Sequence, residues 1–197
     1  MNDGGMEILP YLCIAELSLG IYMKKKCLLK KTYKIMISEK MIENINAQVN
    51  AEMWAAHLYL SMSMNAWRMG CRGMGHWLRK QYEEEMQHAF KFIDYMQDRN
   101  AKVTLHDIKE VPTSWECPKC MFEQALEHER KISGCINKLC QQALNEEDYA
   151  TFHFLQYFVG EQVEEEASVL EIVDTLKCFG DDIGAIYAYD NSLLCRE

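Results

Sequence analysis

The stretch Tyr82–Phe90, YEEEMQHAF, decides how this chain is read. It lies inside an amphipathic helical pattern, yet Glu85 and His88 fall where a period of 3.6 asks for apolar side chains. An isolated buried carboxylate is strongly unfavourable. The helix therefore needs a reason to carry a carboxylate and an imidazole on its inner stripe.

Outward from this stretch the chain punctuates itself into helices. Ser38 is placed to cap a first helix that runs to Met69, where Gly70, Gly73 and Gly75 break it. A second helix is predicted from about Met74 to Asn100, a third from Pro118 to Leu144, and a fourth from Asp148 to Phe179, closed by Gly180. Ile183–Leu194 reads as a short fifth helix, whereas Ala101–Glu116 has no clear period. A helix of about 27 residues is roughly 40 Å long, and about 16 extended residues reach roughly 53 Å. The irregular segment can therefore run the length of a bundle and set the second and third helices parallel, while the short turns at 70–73 and 145–147 make antiparallel pairs. The expected fold is all-α: a four-helix bundle with one long crossover and a short C-terminal fifth helix.

Steps of three and four residues trace a core seam along each helix. The first gives Ile42, Ile45, Val49, Glu52, Ala56, Tyr59, Ser63 and Ala66, and the second gives Leu78, Gln81, Glu85, His88, Phe92 and Tyr95. The third gives Phe122, Ala125, Glu129, Ile132, Ile136, Leu139 and Ala143, and the fourth gives Leu155, Phe158, Gln162, Glu165, Val169, Ile172 and Leu176. Every seam contains a glutamate and none contains a cation, which leaves protonation or a metal to neutralise them. Four carboxylates with one imidazole suit iron, manganese or zinc better than calcium, and a pair of ions bridged by one carboxylate uses such a set economically. Off the seams, His57, His76, His106, His128 and His153 are expected in solvent and not as ligands.

Composition agrees with a soluble helical protein. The chain has 49% hydrophobic residues and only 3 Pro and 10 Gly against 13 Met, with a formal charge of −9. Residues 1–35 carry a local excess of lysine, so the acidic remainder argues against nucleic acid as a partner. The apolar run Ile8–Met23 contains Pro10 and Glu16, is short for a span and precedes its lysines, so no membrane role is expected. Residues 1–35 read instead as an extension, either unstructured or arising from a translation start assigned upstream of Met36. Nine cysteines without a framework suggest free thiols and a cytoplasmic setting.

The segments NAEMWAAHLY, EEEMQH, ALEHER and FLQYFVGEQVEEE, in this order and spacing, resemble the non-haem bacterial ferritins. The likeness covers residues 37–194 and marks 36–197 as a ferritin-like di-iron domain. It implies one iron site from Glu52, Glu85 and His88 and a second from Glu85, Glu129 and Glu165, with Glu85 bridging and with Gln162 and Tyr59 beside the centre. It also implies a third iron site from Glu84, Glu161 and Glu164; taken alone, those three read equally as a solvated acidic face. The activity implied is oxidation of Fe(II) by O2 or H2O2 and storage of the ferric mineral in a cage of twenty-four subunits. Met86 resembles the haem-ligating methionine of bacterioferritins, but non-haem ferritins carry methionine there too, and no haem is expected. Gln162 and Glu165 on the fourth helix, without a histidine, weigh against the bacterioferritin and rubrerythrin patterns.

Two other readings compete: a rubrerythrin-like di-iron peroxidase that stores no mineral, and a helical interaction module whose glutamates are structural. The motif CPKC, Cys117 to Cys120, belongs to none of them. It is half of a four-cysteine metal site, and its place at a helix start leaves an adventitious surface pair, a labile metal contact and a redox role all open.

Overall fold

The computed structural model describes residues 37–195, and the expected N-terminal extension lies outside them. Five α-helices follow in order: α1 Glu39–Arg68, α2 Arg72–Asp98, α3 Pro118–Asn145, α4 Tyr149–Phe179 and α5 Ile183–Ser192, the last running into a 3₁₀ turn at Leu193–Cys195. No strand occurs among the described residues.

Local chemistry sets the boundaries. Ser38 Oγ accepts the Met41 amide at 3.0 Å, Cys117 and Asp148 cap α3 and α4 with their own side chains, and Asp182 caps α5. Gly70 at φ +85° turns the chain after α1, with the Cys71 amide returning to the Ala66 carbonyl at 3.0 Å. Asn100 and Glu147 adopt the same left-handed geometry after α2 and α3.

Gly73 and Gly75 do not break the chain as expected; they sit in the first turn of α2. A Cβ on Gly73 would lie 1.6 Å from the Asp190 carbonyl oxygen, and one on Gly75 would lie 2.5 Å from the Trp67 ring. These glycines allow close approach. Asp190, buried on α5, accepts the Met74 amide at 2.8 Å, so a distant helix supplies the cap that Cys71 does not.

The contacts fix the topology. Ser63 Oγ reaches the Gly75 carbonyl while Asn46 reaches Lys102, so α1 and α2 are antiparallel. Ser38 meets Glu146, which makes α3 antiparallel to α1 and parallel to α2. Contacts of Glu129 with Gln162 and of Lys177 with Glu123 orient α4 against α3. The crossover lies along α1. The side-chain amide of Asn46 donates to the Lys102 carbonyl and accepts the Thr104 amide; Asn50, one turn on, donates to the Thr104 carbonyl and accepts the His106 amide. Farther along, Ser61 Oγ donates to the Pro112 carbonyl.

Two apolar clusters fill the ends of the bundle. One holds Leu58, Met62, Trp77, Phe122, Ile172 and Leu176, and the other Met41, Ile45, Phe92, Ile136, Leu155 and Phe158. The polar seam residues lie in the bundle interior with them. Ile42 and Tyr95, assigned to seams, are half-buried; Met41 and Met96 take the core positions beside them. No described helix is long and apolar enough to cross a membrane.

Candidate metal centre

Glu52, Glu85, His88, Glu129 and Glu165 are all buried, as are Gln162 and Tyr59. Glu52 comes from α1, Glu85 and His88 from successive turns of α2, and each residue offers one ligand atom within 4.8 Å of those of the other two. Glu129 from α3 and Glu165 from α4 lie close enough for their charges to act on Glu85.

Three of the four carboxylates are oriented by uncharged donors. Gln48 donates to Glu52 Oε1 at 2.8 Å, Gln81 to Glu165 Oε2 at 2.7 Å, and Gln162 to Glu129 Oε2 at 3.2 Å. Tyr59 Oη donates a short hydrogen bond to Glu129 Oε1. Among the described residues no N–H or hydroxyl donor reaches Glu52 Oε2 or Glu85 Oε2, although both atoms are buried. His88 Nδ1 lies 3.7 Å from Glu85 Oε2, its Nε2 lies 3.4 Å from Glu161 Oε2, and its ring packs edge-on against Phe158.

The electrostatics follow from burial without a cation. Desolvation first, then the charges of Glu129 and Glu52, push Glu85 well above the ordinary carboxylate range. Burial raises Glu52 as well, opposed by its hydrogen bonds to Gln48 and Glu85. Glu129 is pushed up to about 7 by burial, and Tyr59 is raised by burial and by the charge of Glu129 beside it. Such a site is suited to exchange a proton for a cation: its donor atoms are oxygens and one imidazole, and those of Glu52, Glu85 and His88 converge. The residues fit a metal ion such as iron.

The three carboxylates of the expected third site are placed differently. Glu161 is half-exposed and faces His88, Glu84 is half-buried and Glu164 is exposed. Only Glu52, Glu85 and His88 form a compact group of three metal-capable side chains among the described residues.

A family model described as the ferritin-like domain matches residues 42–179. This chain belongs to the ferritin family. It is 46% identical over 158 residues to the bacterial non-heme ferritin of Bacteroides fragilis strain 638R, covering 80% of this chain and 98% of that one. The corresponding protein of Campylobacter jejuni is 38% identical over 155 residues, with 79% and 93% covered. The open pore ferritin of the archaeon Archaeoglobus fulgidus superposes with a TM-score of 0.81 at 43% identity, covering 82% of this chain and 99% of the other.

Several residues of this ferritin that matter to the centre escape a reading of its sequence. Gln48 falls outside the seam of α1, and Gln81 reads there only as a polar core residue. Yet Gln48 stands four residues before Glu52 and Gln81 four before Glu85, a repeated Gln-x-x-x-Glu spacing that could have marked both. His128, expected in solvent, is half-buried with its ring 5.4 Å from that of Trp54; burial pushes it down to about 4, so it is neutral. His76 is half-buried as well. The thiols at 117 and 120 are not free as expected: the two sulfurs form a disulfide, since the capped turn holds their Cα atoms 5.3 Å apart, within bonding reach. Cys71, Cys135, Cys140, Cys178 and Cys195 are free.

Proposed function

We propose that this ferritin oxidises Fe(II) at a paired site and stores the ferric product inside a cytoplasmic cage of twenty-four subunits. The observation that carries the reading is the convergence of the buried Glu52, Glu85 and His88, where Glu52 Oε2 and Glu85 Oε2 have no donor among the described residues. The relatives named as non-heme ferritins support it.

Iron is the substrate. Glu52, Glu85 and His88 would receive one ion and Glu85, Glu129 and Glu165 the other, with Glu85 between them. Two ferrous ions together supply the two electrons that reduce dioxygen to peroxide, or peroxide to water. The chain's own residues govern what precedes that transfer. Glu85, raised by burial, would give up its proton to an entering cation, and its carboxylate would supply charge that favours the ferric product. Gln48 holds Glu52 Oε1, so that Oε2 is the oxygen turned to the site. Tyr59 and Gln162 engage both oxygens of Glu129, which therefore binds through the lone pairs they leave. With Nε2 of His88 donating to Glu161, Nδ1 keeps its lone pair beside Glu85. Glu161, together with Glu84 and Glu164, would serve a third iron site. No haem is required by this scheme.

Aerobic addition of Fe(II) to the iron-free protein tests the reading. A ferritin takes up iron far beyond two ions per subunit and elutes as a large particle with its iron. Uptake that stops at two ions per subunit would make it a di-iron peroxidase instead, and uptake below one would remove the centre altogether.

A further inference from the structure

We propose that Cys117 and Cys120 form a redox-active dithiol–disulfide site, which exchanges two electrons with low-molecular-weight dithiols admitted through the neighbouring cleft. It is separate from the iron centre and does not depend on it.

Cys117 is the N-cap of α3 and Cys120 lies in its first turn. The Cys120 amide donates to Cys117 Sγ at 3.2 Å, so the sulfur already occupies the place an anionic cap would take. A thiolate formed at Cys117 keeps that hydrogen bond and faces the positive end of the helix. Both cysteines are only half-buried. Cys117 also lines a cleft of about 450 Å³, bounded by Leu176, Ile183 and Ile186 on the apolar side and by Lys119, Lys177 and Asp181 at the polar rim. The volume is in the range that holds a small molecule, and of the two cysteines only Cys117 lines it. A purely structural role explains less, because the bond spans a sequence separation of 3 within a turn that is already capped, and so removes little freedom from the unfolded chain.

The exchange balances as follows. A thiolate of the dithiol attacks Cys117 Sγ; the Cys117–Cys120 bond breaks and Cys120 leaves as a thiolate that takes a proton from water. The second thiol of the reductant then attacks its own sulfur in the mixed disulfide. Cys117 leaves as the thiolate held at the helix start, and the reductant is released as its cyclic disulfide. Two electrons and one proton pass to the pair, the second thiol's proton returning to the water and Cys117 staying as the thiolate, and the reverse steps close it again.

Trypsin provides the readout, because it cleaves after Lys119 between the two cysteines. In the oxidised protein residues 110–119 and 120–130 stay joined, and in the reduced protein they separate. The iron-free full chain is held in dithiothreitol buffers of graded potential, without denaturant, then alkylated, digested and weighed. The expected result is complete loss and recovery of the joined species in one two-electron step. With glutathione disulfide, Cys120→Ser should form a mixed disulfide at Cys117 at least about fivefold faster than Cys117→Ser forms one at Cys120, because Cys117 lines the cleft and its sulfur sits at the helix start. A pair that never joins, a bond that opens only in denaturant, or equal rates for the two variants would each overturn the proposal.

Discussion

Replacing Glu85 by Gln separates what the centre does with iron from what it costs without it. Glu85 is raised well above the ordinary 4.5 by burial and by the charges of Glu129 and Glu52. The folded metal-free chain therefore keeps a proton that the unfolded chain releases. For a carboxyl raised in the folded state, the associated stability is present below the unfolded value of 4.5 and is lost as pH rises. At pH 7 the loss is at most about 3 kcal/mol, and at pH 5 it is below about 1 kcal/mol. Glutamine has the shape of the protonated acid and takes up no proton. Metal-free Glu85→Gln should thus be as stable as the parent at pH 5 and more stable at pH 7, by up to about 3 kcal/mol. The same change removes the carboxylate proposed to lie between the two ions, and rapid oxidation should fall by at least about tenfold. Urea unfolding of iron-free protein at the two pH values, beside stopped-flow oxidation, measures both effects. A variant that loses several kcal/mol at pH 7, or that oxidises iron at the parental rate, would refute the buried bridging role.

Other outcomes follow from the same geometry. The metal-free parent should lose stability between pH 4.5 and about 7 as Glu129, with Glu52 and Glu85 also raised, is forced to ionise, and saturating Zn(II) should reverse the trend. Asp148 is lowered and has the opposite sign, but it acts only below its ordinary 3.8; denaturant titrations across the range show whether stability falls as stated. Glu164→Gln should leave rapid oxidation intact and alter only the later handling of iron, since Glu164 is exposed and outside the buried group; stopped-flow traces followed to mineral growth separate the phases. Gly73→Ala should cost at least about 2 kcal/mol or release α5, because the new methyl overlaps the Asp190 carbonyl; limited proteolysis after Phe179 reports the release.

The bundle and its five buried ionisable side chains are legible in the sequence because helical period leaves a buried glutamate no neutral explanation, and four seams repeat the same anomaly. The seams drift at the bundle end. Extension by four from Ile45 reaches Met41 and from Phe92 reaches Met96, whereas the 3.5 repeat selects Ile42 and Tyr95; a straight helix follows 3.6. Gly73 resembles a helix breaker because its true constraint, Asp190, stands far along the chain. His128 carries no periodic mark, and its burial depends on Trp54 of another helix. The state of Cys117 and Cys120 is equally silent, since CxxC spacing alone does not say whether the sulfurs are joined.

The crossover has a consequence beyond topology. Asn46 and Asn50 are about 6 Å apart along α1, and two residues of extended chain advance by nearly the same length, about 6.6 Å. Lys102, Thr104 and His106 therefore meet two side-chain amides as they would meet the edge of a neighbouring strand. The helix surface acts as a vernier. A slip of one residue would turn every paired amide and carbonyl away, so the stretch 102–106 has a single register and tolerates no added residue. The next anchor is the Pro112 carbonyl, and residues 107–110 between the two are all exposed. Extra chain inserted there would be held at both ends, which makes 107–110 the place on this subunit where a foreign peptide can be displayed without disturbing the bundle.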